Sequence, residues 1–173
     1  MATAITFVLS NAGVLLFAVA LVRTLQRIRH GQLAHRVVTP SYVLWGETLF
    51  YAVGVTLVYI GILHAYFQHI AAPSIGWHPS PFEYELGWFE IPLGVVAMLS
   101  LWRGYEFRLA ATIIFVVFSW AAAAQHIVQI LGAHNYAPGN AGPIVWFGDI
   151  LLPLLLVVLA FVSRDAHERF ERT

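Results

Sequence analysis

Residues 74–94 read SIGWHPSPFEYELGWFEIPLG. This stretch ends one apolar segment, turns, and begins the next while carrying three carboxylates, Glu83, Glu85 and Glu90. Ser80-Pro81-Phe82-Glu83 has the form of a helix start. Ser80 can accept from a free backbone N–H, Pro81 needs no donor at the first helical position, and Glu83 can reach back to close a capping box. From there Glu83, Gly87, Glu90 and Gly94 recur at i, i+4, i+7 and i+11, one stripe of small and acidic residues on one helix face. Glu85 lies about 140° round the helix from Glu90. A packing seam accounts for the glycines. It does not account for Glu90, which lies on the order of 10 Å along the helix and must find a partner or a proton.

The whole composition agrees with a membrane-spanning chain. Of 173 residues 60% are hydrophobic and 10% charged, where about a quarter would be charged in a soluble domain. There is no cysteine, which removes disulfides, thiolate ligation and thiol catalysis. The nine basic residues are all Arg and form no basic patch interleaved with aromatics, so nothing supports nucleic-acid binding. No internal repeat, low-complexity segment or linker divides residues 1–173, and the chain is expected to be one helical domain.

Five apolar segments follow in order. Residues 3–22 make a first span of about the required 20 residues. Ala18-Val19-Ala20 has the look of a signal-peptidase site, but no basic region precedes it and one follows, so an uncleaved span is expected. Thr39-Pro40 opens a second span to about Phe67, with Gly54, Gly61 and Ala65 on one face suited to close packing. The third covers roughly 81–102, the fourth 107–131, and the fifth runs from Pro143 to Val162 after the turn-rich GAHNYAPGNAGP. The arginines fall in 23–36, 103–108 and 164–172, which five spans place on one side. The positive-inside rule makes that side cytoplasmic and the N-terminus external. The expected fold is an all-α integral membrane bundle of five transmembrane helices, N-terminus outside and C-terminus cytoplasmic. Trp45, Trp77, Trp102 and Trp146, near span ends, fit interfacial belts, and Glu47 fits a hydrogen-bonding pair with Tyr51 one turn on.

In that topology His64, Glu85 and Glu90, His126 and Asp149 all fall in the outer leaflet, on four different helices. Ionisable groups in a bilayer are costly and usually face one another or water, so agreement in depth points to a shared site. Ser119, Ala122, His126 and Gln129 share a face, and Pro153 deprives the Asp149 carbonyl of its helical donor. Blander roles exist for each: an interfacial histidine beside Tyr66 and His69 for His64, a backbone bond across a helix pair for His126, a helix-end bond for Asp149, a protonated bonded carboxyl for Glu90. His69, His78 and His134 read as solvated loop residues.

The pairs and motifs His64-Ala65, Ser74-Ile75-Gly76-Trp77, Pro79-Ser80-Pro81-Phe82, Glu85 with Gly87, His126, NYAPGNAG over 135–142, and Asp149 with Pro153 resemble a family of small bacterial and archaeal membrane proteins of unknown function. The resemblance covers spans two to five. It implies no activity, and it favours Glu85 over Glu90 as the acidic member of the site. It places the chain in a bacterial or archaeal cytoplasmic (inner) membrane.

Two imidazoles and two carboxylates from four helices suit a transition metal ion, zinc, iron or manganese, with His64, Glu85 or Glu90, His126 and Asp149 as ligands. His64 and His126 could instead ligate the iron of a b-type haem. A third expectation is a non-catalytic subunit or stabiliser of a larger membrane complex, or a homo-oligomer, in contact with membrane lipid. A fourth is a proton-coupled small-molecule transporter, with the outer carboxylates and Glu47 at two depths.

Overall fold

Thr39 is extended and Pro40 takes the first helical position, so the chain enters its second helix where the sequence predicts. A computed structural model of the protein describes residues 10–33 and 39–171, with backbone alone for Leu33 and residues 165–171. Helix α1 spans Ala12–Leu33, α2 Pro40–Tyr66, the short α3 Gln68–Ser74, α4 Pro81–Trp102, α5 Tyr105–Ala133 and α6 Pro138–Arg164. The last continues helically to Glu171. There is no strand among the described residues. Four of these helices, α2, α4, α5 and α6, are long and apolar enough to cross a membrane.

The beginning of the first expected span lies outside the described residues. Its later part is helical and belongs to the bundle. Ala20 is buried, Phe17 packs on the core, and its ring meets that of Phe147 at 5.5 Å. The helix also runs on through Arg23–Gln32, which the sequence reads as a loop. Arg27 there reaches across to Glu47, with Nη1 donating to Oε1 at 2.9 Å. Glu47 therefore pairs with an arginine of α1 rather than with Tyr51.

The seam between α2 and α4 sets the architecture. A Cβ added at Gly87 would lie 2.5 Å from the Gly61 carbonyl oxygen, and one at Gly94 would lie 2.7 Å from that of Gly54. In the reverse sense, a Cβ at Gly61 or Gly54 would lie 2.9 Å from the oxygen of Gly87 or Gly94. The two helices run antiparallel with their backbones in contact at both crossings, which only residues without a side chain permit. Trp45, Leu49, Val53 and Leu57 of α2 then meet Leu152 and Leu156 of α6 in the core.

Two departures from regular α geometry occur in the spans. The backbone widens to a π-helix over Thr48–Val55 in α2 and over Ile144–Leu151 in α6. The second lies just ahead of Pro153, which has no N–H to return to the preceding turn. This is the irregularity the sequence places at Asp149. Such widened turns are frequent at functional sites.

At the end where α4 meets α5, Arg108 is buried rather than exposed in a turn. Its Nε donates to the Ser100 carbonyl at 2.9 Å, Nη1 to that of Tyr42 at 2.6 Å and Nη2 to that of Leu101 at 3.1 Å. Its guanidinium also sits 4.0 Å from the centre of the Tyr42 ring. The arginine thus occupies the carbonyls left open where α4 ends, where a cation is favoured. Trp45 is fully buried beside it and donates to Thr112 Oγ1 at 3.0 Å, so it is a core residue and not part of an interfacial belt. Trp102 and Trp146 are exposed, as a belt requires.

Gly87→Ala is expected to destabilise the protein by about 1–3 kcal/mol, the usual cost of overpacking. Gly132→Ala, where an added Cβ meets nothing within 4 Å, should leave stability unchanged or slightly raised, since Ala is the better helix former. Parallel denaturation of both variants in one detergent measures this, and equal stability would remove the seam as a constraint.

Candidate functional site

Side chains of a helix lean toward its N-terminus. Because α2 and α4 are antiparallel, His64, near the end of α2, and Glu90, well inside α4, lean toward each other. His64 Nδ1 and Glu90 Oε2 are 2.7 Å apart, with one proton between them whichever group holds it. The Glu90 residue is only 4% exposed. Its position on the α4 stripe, between Gly87 and Gly94, forces it to face α2.

Two further carboxylates bear on this pair. Asp149, on the π-helical turn of α6, lies within the electrostatic reach of Glu90. Glu83, one end of the same stripe, closes the capping box of α4, its Oε2 accepting from the Ser80 N–H at 3.3 Å. Its other oxygen is buried without a hydrogen-bond partner, and its charge reaches the His64 ring. Two carboxylates of α4 thus bear on the one imidazole of α2. The place of Glu83 on the Glu90 stripe, beyond its role at the helix start, is the sign in the sequence of this second role.

Glu85 does not join them. It is exposed, on the face of α4 turned away from α2, as its angular offset from Glu90 requires. Of the two carboxylates left open by the sequence, the structure selects Glu90, against the preference carried by the family motif.

His126 belongs to a second cluster. Its Nδ1–H donates to Asn140 Oδ1 at 2.7 Å, and its ring stacks on Trp77 at 5.9 Å with 27° between planes. Asn140 is buried, and its Nδ2 donates to the Asn135 carbonyl at 2.8 Å. Asn135 in turn donates from Nδ2 to the Ile75 carbonyl at 2.8 Å and accepts at Oδ1 from the Ala137 N–H at 3.1 Å. Gly76 has φ +73°, and a Cβ there would lie 2.5 Å from Asn135 Oδ1. Glycine is required for both reasons. The 74–80 and 134–142 loops are therefore clamped into one unit that includes His126. Trp77 serves this clamp, not an interfacial belt. The asparagines were visible in the sequence only as turn formers.

The expected metal set is consequently split. His64 and Glu90 are bonded to each other, Asp149 is hydrogen-bonded to neither, His126 sits with Asn140 and Trp77, and Glu85 faces outward. Among the described residues no group of three or more His, Asp and Glu stands ready to hold a metal ion. What the first cluster offers is proton chemistry. One imidazole and two carboxylates are uncharged overall only when two titratable protons are shared among them, and a net charge in a bilayer is costly.

Fold and composition together define a multi-pass helical membrane protein with a buried His–carboxylate cluster. The chain belongs to DUF6790, a family of unknown function, whose model matches residues 5–169 and so takes in the first helix as well as the motifs from His64 to Pro153. No curated protein and no solved structure matches it.

Glu90→Leu would strand His64 in the bundle and is expected to cost about 3–5 kcal/mol, the range for removing one member of a buried pair. Glu85→Gln should stay within about 0.5 kcal/mol of the unaltered protein. Denaturant titration in mixed micelles separates the two, and an equal loss for both would refute the assignment of Glu90 as the buried partner.

Proposed function

We propose that the protein binds and releases protons within the membrane through His64, Glu90 and Asp149, as the proton-handling element of a small-molecule transport process. The observation that carries this reading is the 2.7 Å contact between His64 Nδ1 and Glu90 Oε2 inside a pair of membrane-length helices, with Asp149 close enough to feel the same charge. Intramembrane ionisable groups that face one another are the usual parts of proton relays. The widened turn that carries Asp149 gives that helix a place to adjust when the charge changes. At the opposite end of α2, Glu47 is 1% exposed and bound to Arg27, whose side chain is 46% exposed, so a second carboxylate stands between the bundle interior and water.

In this reading α1 completes a fifth span in the cytoplasmic membrane of a bacterium or archaeon. The N-terminus is external, and the Arg-bearing ends of α1, α4 and α6 are cytoplasmic. The absence of Lys or Arg from residues 37–102 and 109–163 supports that orientation. The His64 cluster then opens toward the outer leaflet beneath the clamped loops. A cysteine placed at the exposed His78 should react with an impermeant thiol reagent on intact cells, and one at the exposed Glu106 only after lysis. The reverse pattern would invert the orientation.

A second reading, a non-catalytic stabiliser of a larger membrane complex, is favoured by the loop clamp, where His126 serves shape alone.

Infrared difference spectra of the purified protein between acid and alkaline pH test the proton site. A carboxylic-acid C=O band should change with pH, shift in Glu90→Gln, vanish in part in Asp149→Asn, and persist in Glu85→Gln. A band unaffected by both Glu90→Gln and Asp149→Asn would overturn the proposal.

A further inference from the structure

Glu85 is left without a role by the His64 cluster, yet it is the head of a second stripe on α4. Glu85, Trp88, Pro92, Val95 and Leu99 recur at i, i+3, i+7, i+10 and i+14, and all five are exposed. They form one continuous face of the helix, turned away from the α2 seam. About 6 Å separates Glu85 from the helix start along the axis, by the rise per residue. At that level Trp88 stands between two exposed tyrosines, with ring centroids 6.2 Å from Tyr66 and 6.3 Å from Tyr84, at interplanar angles of 71° and 68°. The face therefore has a carboxylate at one end, a cluster of three edge-to-face aromatic rings beside it, and an apolar strip running toward the middle of the span.

An exposed carboxylate beside aromatic rings at the end of an apolar strip is complemented by a cation. The chain does not supply a permanent one: no Lys or Arg occurs between Arg36 and Arg103 or between Arg108 and Arg164. A second copy of the protein would bring the same deficit to this end. A membrane supplies both halves of the complement, an ammonium group at headgroup level and an acyl chain beneath it. Aromatic faces attract ammonium groups, and tyrosine and tryptophan reside at headgroup depth. A carboxylate accepts N–H bonds from a primary ammonium and can make none with a quaternary one.

We propose that this face is a binding site for a phospholipid with a primary-ammonium headgroup, phosphatidylethanolamine. Its ammonium donates to Glu85 beside the Tyr66–Trp88–Tyr84 rings, and its acyl chain lies along Pro92, Val95 and Leu99. The site is independent of the proton cluster on the opposite face of α4.

Native mass spectrometry of the full chain tests this, with ethanolamine, choline and glycerol phospholipids of identical acyl chains offered at equal concentration. The unaltered protein should retain phosphatidylethanolamine about fivefold over phosphatidylcholine, the scale of one charge-assisted contact at a partly exposed site. Glu85→Gln should abolish that preference while melting like the unaltered protein in lipid-free detergent. Trp88→Leu should reduce retention of both lipids. Equal retention of ethanolamine and choline lipids by the unaltered protein overturns the proposal without recourse to any variant. So does a preference for the anionic glycerol lipid, a preference that survives Glu85→Gln, or a lipid-free oligomer that buries this face.

Discussion

At the Gly54–Gly94 and Gly61–Gly87 crossings the backbones of α2 and α4 touch. Close approach of two helices in a bilayer is driven by packing rather than by expulsion of water, so small residues at the contact are what make it possible. Its consequence reaches beyond packing. Glu90 lies on the same stripe as Gly87 and Gly94, so the contact that joins the helices also drives a carboxylate into the space between them. There His64, leaning the opposite way from the antiparallel partner, receives it at 2.7 Å. The polar pair and the glycine seam are one feature: to loosen the seam is to separate the pair.

The protein handles its buried charge differently at its two ends. Around Arg108 every bond goes to a backbone carbonyl and the guanidinium rests on an aromatic ring, an arrangement with no proton to exchange at ordinary pH. Around His64 the groups are an imidazole and carboxylates, each able to change charge. The first end fixes the junction of α4 and α5; toward the other end Asn135 and Asn140 hold the 74–80 and 134–142 loops together. Permanent charge and amides thus hold the helix and loop junctions, while the titratable pair lies on the glycine seam.

The helices, the capping box at Ser80 and the small-residue faces were all legible in the sequence, because each rests on local spacing. So was the meeting of His64 with a carboxylate of the next span. The limit of that reasoning is that depth does not specify direction. His126, expected at the level of His64, faces Asn140, and only the fold of the 134–142 loop determines that. Glu85 and Glu90 could be told apart by angle alone, since only Glu90 is in phase with the glycines; the family motif pointed the other way. The burial of Arg108 is not legible in the sequence, because its carbonyl partners at Tyr42, Ser100 and Leu101 come from two other segments of chain. No local pattern announces such contacts.

The most direct measurement is the separation of the His64 side-chain nitrogen and the Glu90 carboxyl carbon in the protein embedded in lipid, by solid-state NMR dipolar recoupling on samples labelled with ¹⁵N-histidine and ¹³C-glutamate. The spectra are assigned by comparison with His64→Gln and Glu90→Gln. A strong through-space coupling of the size found for directly hydrogen-bonded groups is expected, lost in both variants and weakened in Gly87→Leu, where the helices are forced apart. The absence of that coupling in the unaltered protein, or its persistence at full strength in Gly87→Leu, would contradict the claim that the glycine seam creates the buried pair.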